Sequence, residues 1–224
     1  MAIYRDRVDA GRRLAELLTP YTNRQDVLVL ALPRGGVPVA FEIARALSAP
    51  LDVFVVRKLG VPGQPELAMG AIASGDVRVL NKDVVRALRI SEDAIESVAE
   101  AERKELRRRD AAYRGEREPL EIKGRMIILV DDGLATGATM KAAVEAVRER
   151  QPKQVIVAVP TASPDVVSEF RRIADEVVCA ATPTPFHAVG ASYDRFEQTT
   201  DDEVRDYLSR ARRIESMEDA DGSQ

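Results

Sequence analysis
The chain has 224 residues, 45% of them hydrophobic, and a formal net charge of −4, enough apolar material for one large domain. That charge supplies no global basic field for nucleic acid or an anionic membrane, and no apolar run approaches the length of a membrane span. One cysteine, Cys179, and one histidine, His187, exclude an internal disulfide and any familiar zinc site.

These bounds predict a cytoplasmic protein with no internal repeat. In chain order, Arg5 to Leu18 places Val8, Leu14, Leu17 and Leu18 at helical spacing, and Pro20 closes the helix. Asp26 to Leu32 is a first core strand. It leads into PRGGVP, Pro33 to Pro38, where two glycines allow backbone shapes that other residues resist. Pro38 fits the first turn of the next helix, with Ala40, Ile43, Ala44 and Leu47 on its buried face. Arg34, Gly35 and Gly36 thus form a loop at a strand's C-terminal end, the edge where ligands gather in open α/β sheets. A guanidinium beside free amides suits a diphosphate.

Leu51 to Val56 reads as a second continuous strand ending in Arg57 and Lys58, cations for a leaving anion or for plain solvation. Gly60 to Gly75 is rich in Gly and Pro and short of regular pattern, and predicts a long functional loop whose one charged residue is Glu66. Asp76 to Leu80 is a short strand and Asn81 to Leu88 a short helix. Ser91, followed by Glu92 and Asp93, caps a long helix with Ile95, Val98, Ala99, Leu106 and Tyr113 on its apolar stripe. Arg107, Arg108 and Arg109 near its end are balanced by Glu100, Glu102 and Glu105. This balance predicts a solvated face, or a packing face in a homo-oligomer, rather than an RNA patch.

The most informative stretch is MIILVDDGLATGATM, Met126 to Met140. Met126 to Val130 is a buried strand, because nothing in it alternates apolar with polar. Asp131 and Asp132 sit at its C-terminal end, a loop of small residues runs from Gly133 to Thr139, and a helix follows with Met140, Ala143, Val144 and Val147 on one face. Backbone N–H groups of Thr136, Gly137, Ala138 and Thr139, with the two threonine hydroxyls, can wrap a phosphate at a helix N-terminus. The carboxylates suit vicinal hydroxyls or hydrated Mg²⁺. A phosphate with a diol a few ångströms away describes a ribose 5-phosphate. Other phosphate loops fail: a Walker A loop needs a Lys where Ala138 stands, and Gly133 and Gly137 do not supply a dinucleotide fingerprint.

VDDGLATGAT resembles the ribose-phosphate motif of the type I phosphoribosyltransferases, which use phosphoribosyl pyrophosphate (PRPP). The resemblance implies an α/β fold with a mostly parallel central sheet flanked by helices. It predicts a single domain over 1–212, with a helical insert at about 60–120, a hood at about 181–200 and a disordered tail over 213–224. It implies catalytic roles for Asp131, Asp132, Arg34 and Lys58: the two acids would bind the ribose and hold Mg²⁺ directly or through water, and Arg34 with Lys58 would stabilise the departing diphosphate. Gly35, Gly36 and Arg57 would bind the diphosphate, and Ala135, Thr136, Gly137, Ala138 and Thr139 the 5-phosphate. The loop at 60–75 matches the family's mobile lid.

Past the motif, Gln154 to Val159 is a strand, Ser163-Pro164-Asp165 opens a helix and Glu176 to Cys179 is the last strand. Thr200 and Glu203 fit a capping box for a final helix carrying Val204, Tyr207, Leu208 and Ala211. The hood concentrates Phe186, His187, Tyr193 and Phe196, and Phe186 or Tyr193 is its candidate for stacking a nucleobase-like acceptor; pinning the loop to the core is the alternative. The 6-oxopurine members carry an Asp where this chain has Ala135, which disfavours hypoxanthine, guanine and xanthine. The expected activity is transfer of phosphoribose to a small nitrogenous acceptor, with a non-catalytic PRPP sensor as the alternative.

Overall fold
The computed structural model describes residues 2–115 and 117–221, the side chains of 218–221 excepted. Among the described residues there are eight strands and seven α-helices, with two short 3-10 turns at Thr19–Tyr21 and Val189–Ser192. β1 is Val27–Ala31, β2 Leu51–Val53, β3 Val56–Val61, β4 Gln64–Ala73, β5 Val77–Leu80, β6 Met126–Val130, β7 Gln154–Thr161 and β8 Glu176–Ala181. The helices are α1 Arg7–Leu17, α2 Gly36–Leu47, α3 Lys82–Ala87, α4 Glu92–Arg114, α5 Ala138–Glu149, α6 Pro164–Phe170 and α7 Asp201–Asp221.

Five strands form a parallel sheet in the order β2-β1-β6-β7-β8. The central strands are apolar along their whole length because both faces are covered. Val27, Val29 and Ala31 of β1, with Ile128 and Val130 of β6, pack with α1, α2 and α7 on one side. Leu28, Leu30, Ile127 and Leu129 face the other side, against Met140, Val144 and Val147 of α5 and Phe170 of α6. The usual alternation of a strand is present, but both halves of it are hydrophobic.

The connection from β1 leads outward to β2, whereas β6 leads the opposite way through β7 to β8. A switch point therefore lies between β1 and β6, which are paired in register from Val27↔Met126 to Ala31↔Val130. The loops leaving these two strands open onto one crevice, the place where open α/β sheets bind ligands.

The insert is only partly helical. The expected irregular loop at 60–75 is instead a hairpin, with β3 and β4 joined at Pro62 and Gly63 and extended by β5 into a three-stranded antiparallel sheet. The glycines mark a tight turn at Gly63, with φ +78°, and a register shift at Gly60, not an absence of structure. The apolar run 51–56 is also two pieces. β2 ends at Val53, and the chain changes sheets across Phe54 and Val55, so Arg57 and Lys58 lie inside β3 and not at a strand end.

α4 is anchored by a buried network. Arg114 Nε donates to Asp52 Oδ1 at 2.9 Å, its Nη1 to Asp110 Oδ1 at 2.6 Å and its Nη2 to the Val53 carbonyl. Ser74 Oγ donates to Asp110 at 2.9 Å, which ties in the end of β4. α7 runs on to Asp221, into the segment the composition assigned to a tail, and residues 222–224 lie outside the described residues. Among the described residues no helix is long and apolar enough to cross a membrane.

Candidate functional site
The loops after β1 and β6 touch. A Cβ added to Gly35 would lie 2.1 Å from Asp132 Oδ2, and one on Gly36 would lie 2.6 Å from the Val130 carbonyl oxygen. Only residues without side chains let the two loops approach this closely. The Pro33–Arg34 peptide is cis. The Arg34 guanidinium is 3.7 Å from Asp201, at the start of α7, which also accepts from the Tyr113 hydroxyl at 2.8 Å.

Beyond the acidic pair the loop runs through small residues to the start of α5. Ala135, Thr136, Ala138 and Thr139 are exposed, while Gly137 is buried at φ +70°. Gly137 is the residue before α5, and a Cβ on it would fall 2.4 Å from the Phe170 ring. The first N–H groups of any helix lack intrahelical acceptors. Here the Ala138 N–H reaches only the Thr136 hydroxyl, at 3.5 Å, so the helix N-terminus faces outward with its donors open.

Asp131 Oδ1 accepts from the Asp132 N–H at 2.8 Å. Burial drives the Asp131 carboxyl well above the usual carboxylate range, and the neighbouring Asp132 charge adds to the rise. Burial also raises Asp132, against the pull of Arg7. Two desolvated like charges side by side favour whatever brings positive charge or hydrogen-bond donors to them.

Arg7 had no mark in the sequence beyond its place at a helix start. Its Nε donates to Asp132 Oδ2 at 2.8 Å, and its Nη1 donates to the Glu197 carbonyl at 2.7 Å. The guanidinium sits 4.0 Å from the centre of the Phe196 ring. Both Arg7 and Asp132 are largely buried, with side-chain exposures of 12% and 15%.

Tyr193 corrects an expectation. It is buried, stacked on Phe196 at 4.9 Å and tilted against Tyr4 at 5.5 Å, so its ring offers no platform for an acceptor. Its hydroxyl donates to the Asp132 carbonyl at 2.5 Å, and burial raises its pKa strongly. The segment around it packs on the N-terminus, with the Tyr4 N–H on the Ser192 carbonyl and the Arg195 N–H on the Arg5 carbonyl. Phe186 is half-buried between β8 and this segment, and His187 beside it is exposed.

The hairpin carries Arg57 and Lys58 to a cleft beside the ends of the β1 and β6 loops. Both cations line this open cleft of about 650 Å³ with Pro33, Glu102, Arg109 and Thr139. Arg57 pairs with Glu102 at 2.6 Å, and Lys58 with the exposed Glu66 at 3.5 Å. Arg109, which the sequence placed on a solvated face, thus joins the wall of this cleft.

The donor set suits Mg²⁺ that arrives with a substrate. Among the described residues no three His, Cys, Asp or Glu side chains cluster to hold a metal by themselves. Mg²⁺ is commonly bound by one or two carboxylates together with substrate phosphates, and the adjacent Asp131 and Asp132 are a carboxylate pair of that kind.

The family model for the phosphoribosyl transferase domain matches residues 2–194. The chain belongs to this family. It is 52% identical over 213 residues to a Mycobacterium tuberculosis protein, known from two strains, provisionally named a phosphoribosyl transferase. The match takes in 95% of this chain and 48% of the relative, so the chain spans about half the length of the curated relatives it matches. A Thermus thermophilus protein of known crystal structure is 45% identical, with a TM-score of 0.84 over 94% of this chain and 99% of that one. The parallel sheet flanked by helices is the fold of this phosphoribosyltransferase family member, and the resemblance of VDDGLATGAT lies within the matched span.

Proposed function
We propose that this domain transfers the phosphoribosyl group of PRPP to a small nitrogenous, nucleobase-like acceptor with release of pyrophosphate. The observation that carries the reading is the seating of the Asp132 carboxylate against Gly35, beside a helix N-terminus with open donors. Asp131 and Asp132 would bind the ribose hydroxyls, the amides of 136–139 the 5-phosphate, and Arg34 with Lys58 the diphosphate. Bound Mg²⁺ would neutralise charge on that diphosphate. The acceptor nitrogen donates its lone pair to C1 while the C1–O bond breaks and its electrons leave on pyrophosphate; the acceptor then sheds its N–H proton. The protein contributes position and electrostatics and no covalent intermediate.

Ala135 is exposed at the loop tip where 6-oxopurine members place an Asp, so the reading favours acceptors other than hypoxanthine, guanine and xanthine. The test is pyrophosphate release from PRPP and Mg²⁺ across a panel of purines, pyrimidines and other nitrogen heterocycles. Release with one acceptor class, abolished in the double variant Asp131→Asn/Asp132→Asn, is expected. PRPP binding with no release for any acceptor would replace the transferase by a sensor.

A further inference from the structure
The contacts around Asp132 close into a ring. Arg7 grips its carboxylate at 2.8 Å; Phe196 underlies Arg7 at 4.0 Å; Tyr193 stacks on Phe196 at 4.9 Å; and the Tyr193 hydroxyl returns to the Asp132 carbonyl at 2.5 Å. One residue is therefore held twice, through its side chain and through its backbone, by groups from the first helix and from the segment after β8. The ring is further fixed at two points. The Glu197 carbonyl accepts from the second arm of Arg7 at 2.7 Å, and the Tyr4 hydroxyl, on the neighbouring ring, donates to the Pro160 carbonyl at 2.8 Å.

We propose that Arg7 and Tyr193 are positioning residues that clamp Asp132 for the ribose of the donor, so that the aromatics after β8 serve the donor acid and not the acceptor. The inference rests on the donor reading given above. A carboxylate on a loop tip is free to rotate, and binding a diol with it costs the freezing of that rotation. Arg7 holds one carboxylate oxygen in a two-armed hold whose other arm is occupied, and the hydroxyl of Tyr193 fixes the peptide that carries the side chain. The arrangement also explains a buried guanidinium at the first turn of a helix, where a cation opposes the helix dipole and gains nothing locally. The strongly placed charge of Asp132 compensates it.

The experiment is a double-mutant cycle of Arg7→Met and Tyr193→Phe, with Arg7→Lys as a conservative control, read by calorimetric titration with PRPP in Mg²⁺ and by thermal unfolding. Met keeps an apolar stem over Phe196 and removes the grip; Phe keeps the stacked ring and removes the hydroxyl. Each single variant should weaken PRPP binding by roughly tenfold to a hundredfold, the range seen when residues that orient a ligand-binding group are removed. The double variant should lose much less than the product of the singles, because both grips act on one residue. Arg7→Lys should recover part of the loss. Folded variants that bind PRPP as tightly as the unmutated protein would overturn the clamp, leaving a structural role alone. Tighter binding in Arg7→Met would also overturn it, by showing that Arg7 competes with the ligand. Failure of the unmutated protein to bind PRPP is a different result, and it would remove the donor reading together with the clamp.

Discussion

Gly35 sets how close two loops can come, and its effect is testable by one methyl group. Since a Cβ there would meet Asp132 Oδ2 at 2.1 Å, Gly35→Ala must displace either the loop at 34–36 or the acid. PRPP binding should weaken roughly tenfold or more, because small misplacements at a positioned site are costly. The overpacking should cost about 1–3 kcal/mol in thermal unfolding. Unchanged PRPP affinity in this variant would show that the two loops do not act on one ligand. At this scale the sequence was informative where the signal is local. Paired carboxylates, glycines and threonines within ten residues mark the family motif by their spacing, and the family match spans them. Arg7 was silent because its partner lies 125 residues away and a helix-start arginine looks like any solvated one. Tyr193 was noticed for its ring, but a buried tyrosine is decided by where its hydroxyl goes, and that partner belongs to the tertiary structure.

Elements were legible when a run kept one set of neighbours. The helix spanning 92–114 shows its N-cap, acidic first turn and apolar stripe plainly, and its bounds follow from them. The run 51–56 does not show its break, since hydrophobicity continues while the hydrogen-bonding partner changes from β1 to β4. The hairpin β3–β4 was hidden for the opposite reason: the start of β4, Gln64 to Leu67, is exposed and lacks an apolar alternation. What fixes this insert to the sheet is the Arg114 network, also invisible in sequence. Arg114→Met would leave Asp52 buried and Asp110 partly buried without their cation. The expected loss is about 3–5 kcal/mol, as for other broken buried pairs. In a chain of this size that lowers the thermal midpoint by roughly 6–20 °C. A shift near zero would mean that the insert is held by its apolar packing on the core instead.

At the scale of the molecule, the sheet order explains why residues 34–36 and 131–139, about a hundred positions apart in sequence, share one crevice. The continuous apolar strands and the family resemblance together predicted a parallel α/β protein; the switch point between β1 and β6 had to come from topology. The hairpin then brings Arg57 and Lys58 to a cleft they share with Pro33 and Thr139, and Tyr193 of the segment after β8 bonds the Asp132 carbonyl. The central claim is that the acidic pair and the following helix N-terminus form a PRPP site. Calorimetric titration of the unmutated protein and of Asp131→Asn/Asp132→Asn with PRPP and Mg²⁺ tests it most directly. The account predicts saturable one-site binding to the unmutated protein, abolished in a double variant that still unfolds cooperatively. No binding by the unmutated protein, or binding undiminished by the two substitutions, would contradict it.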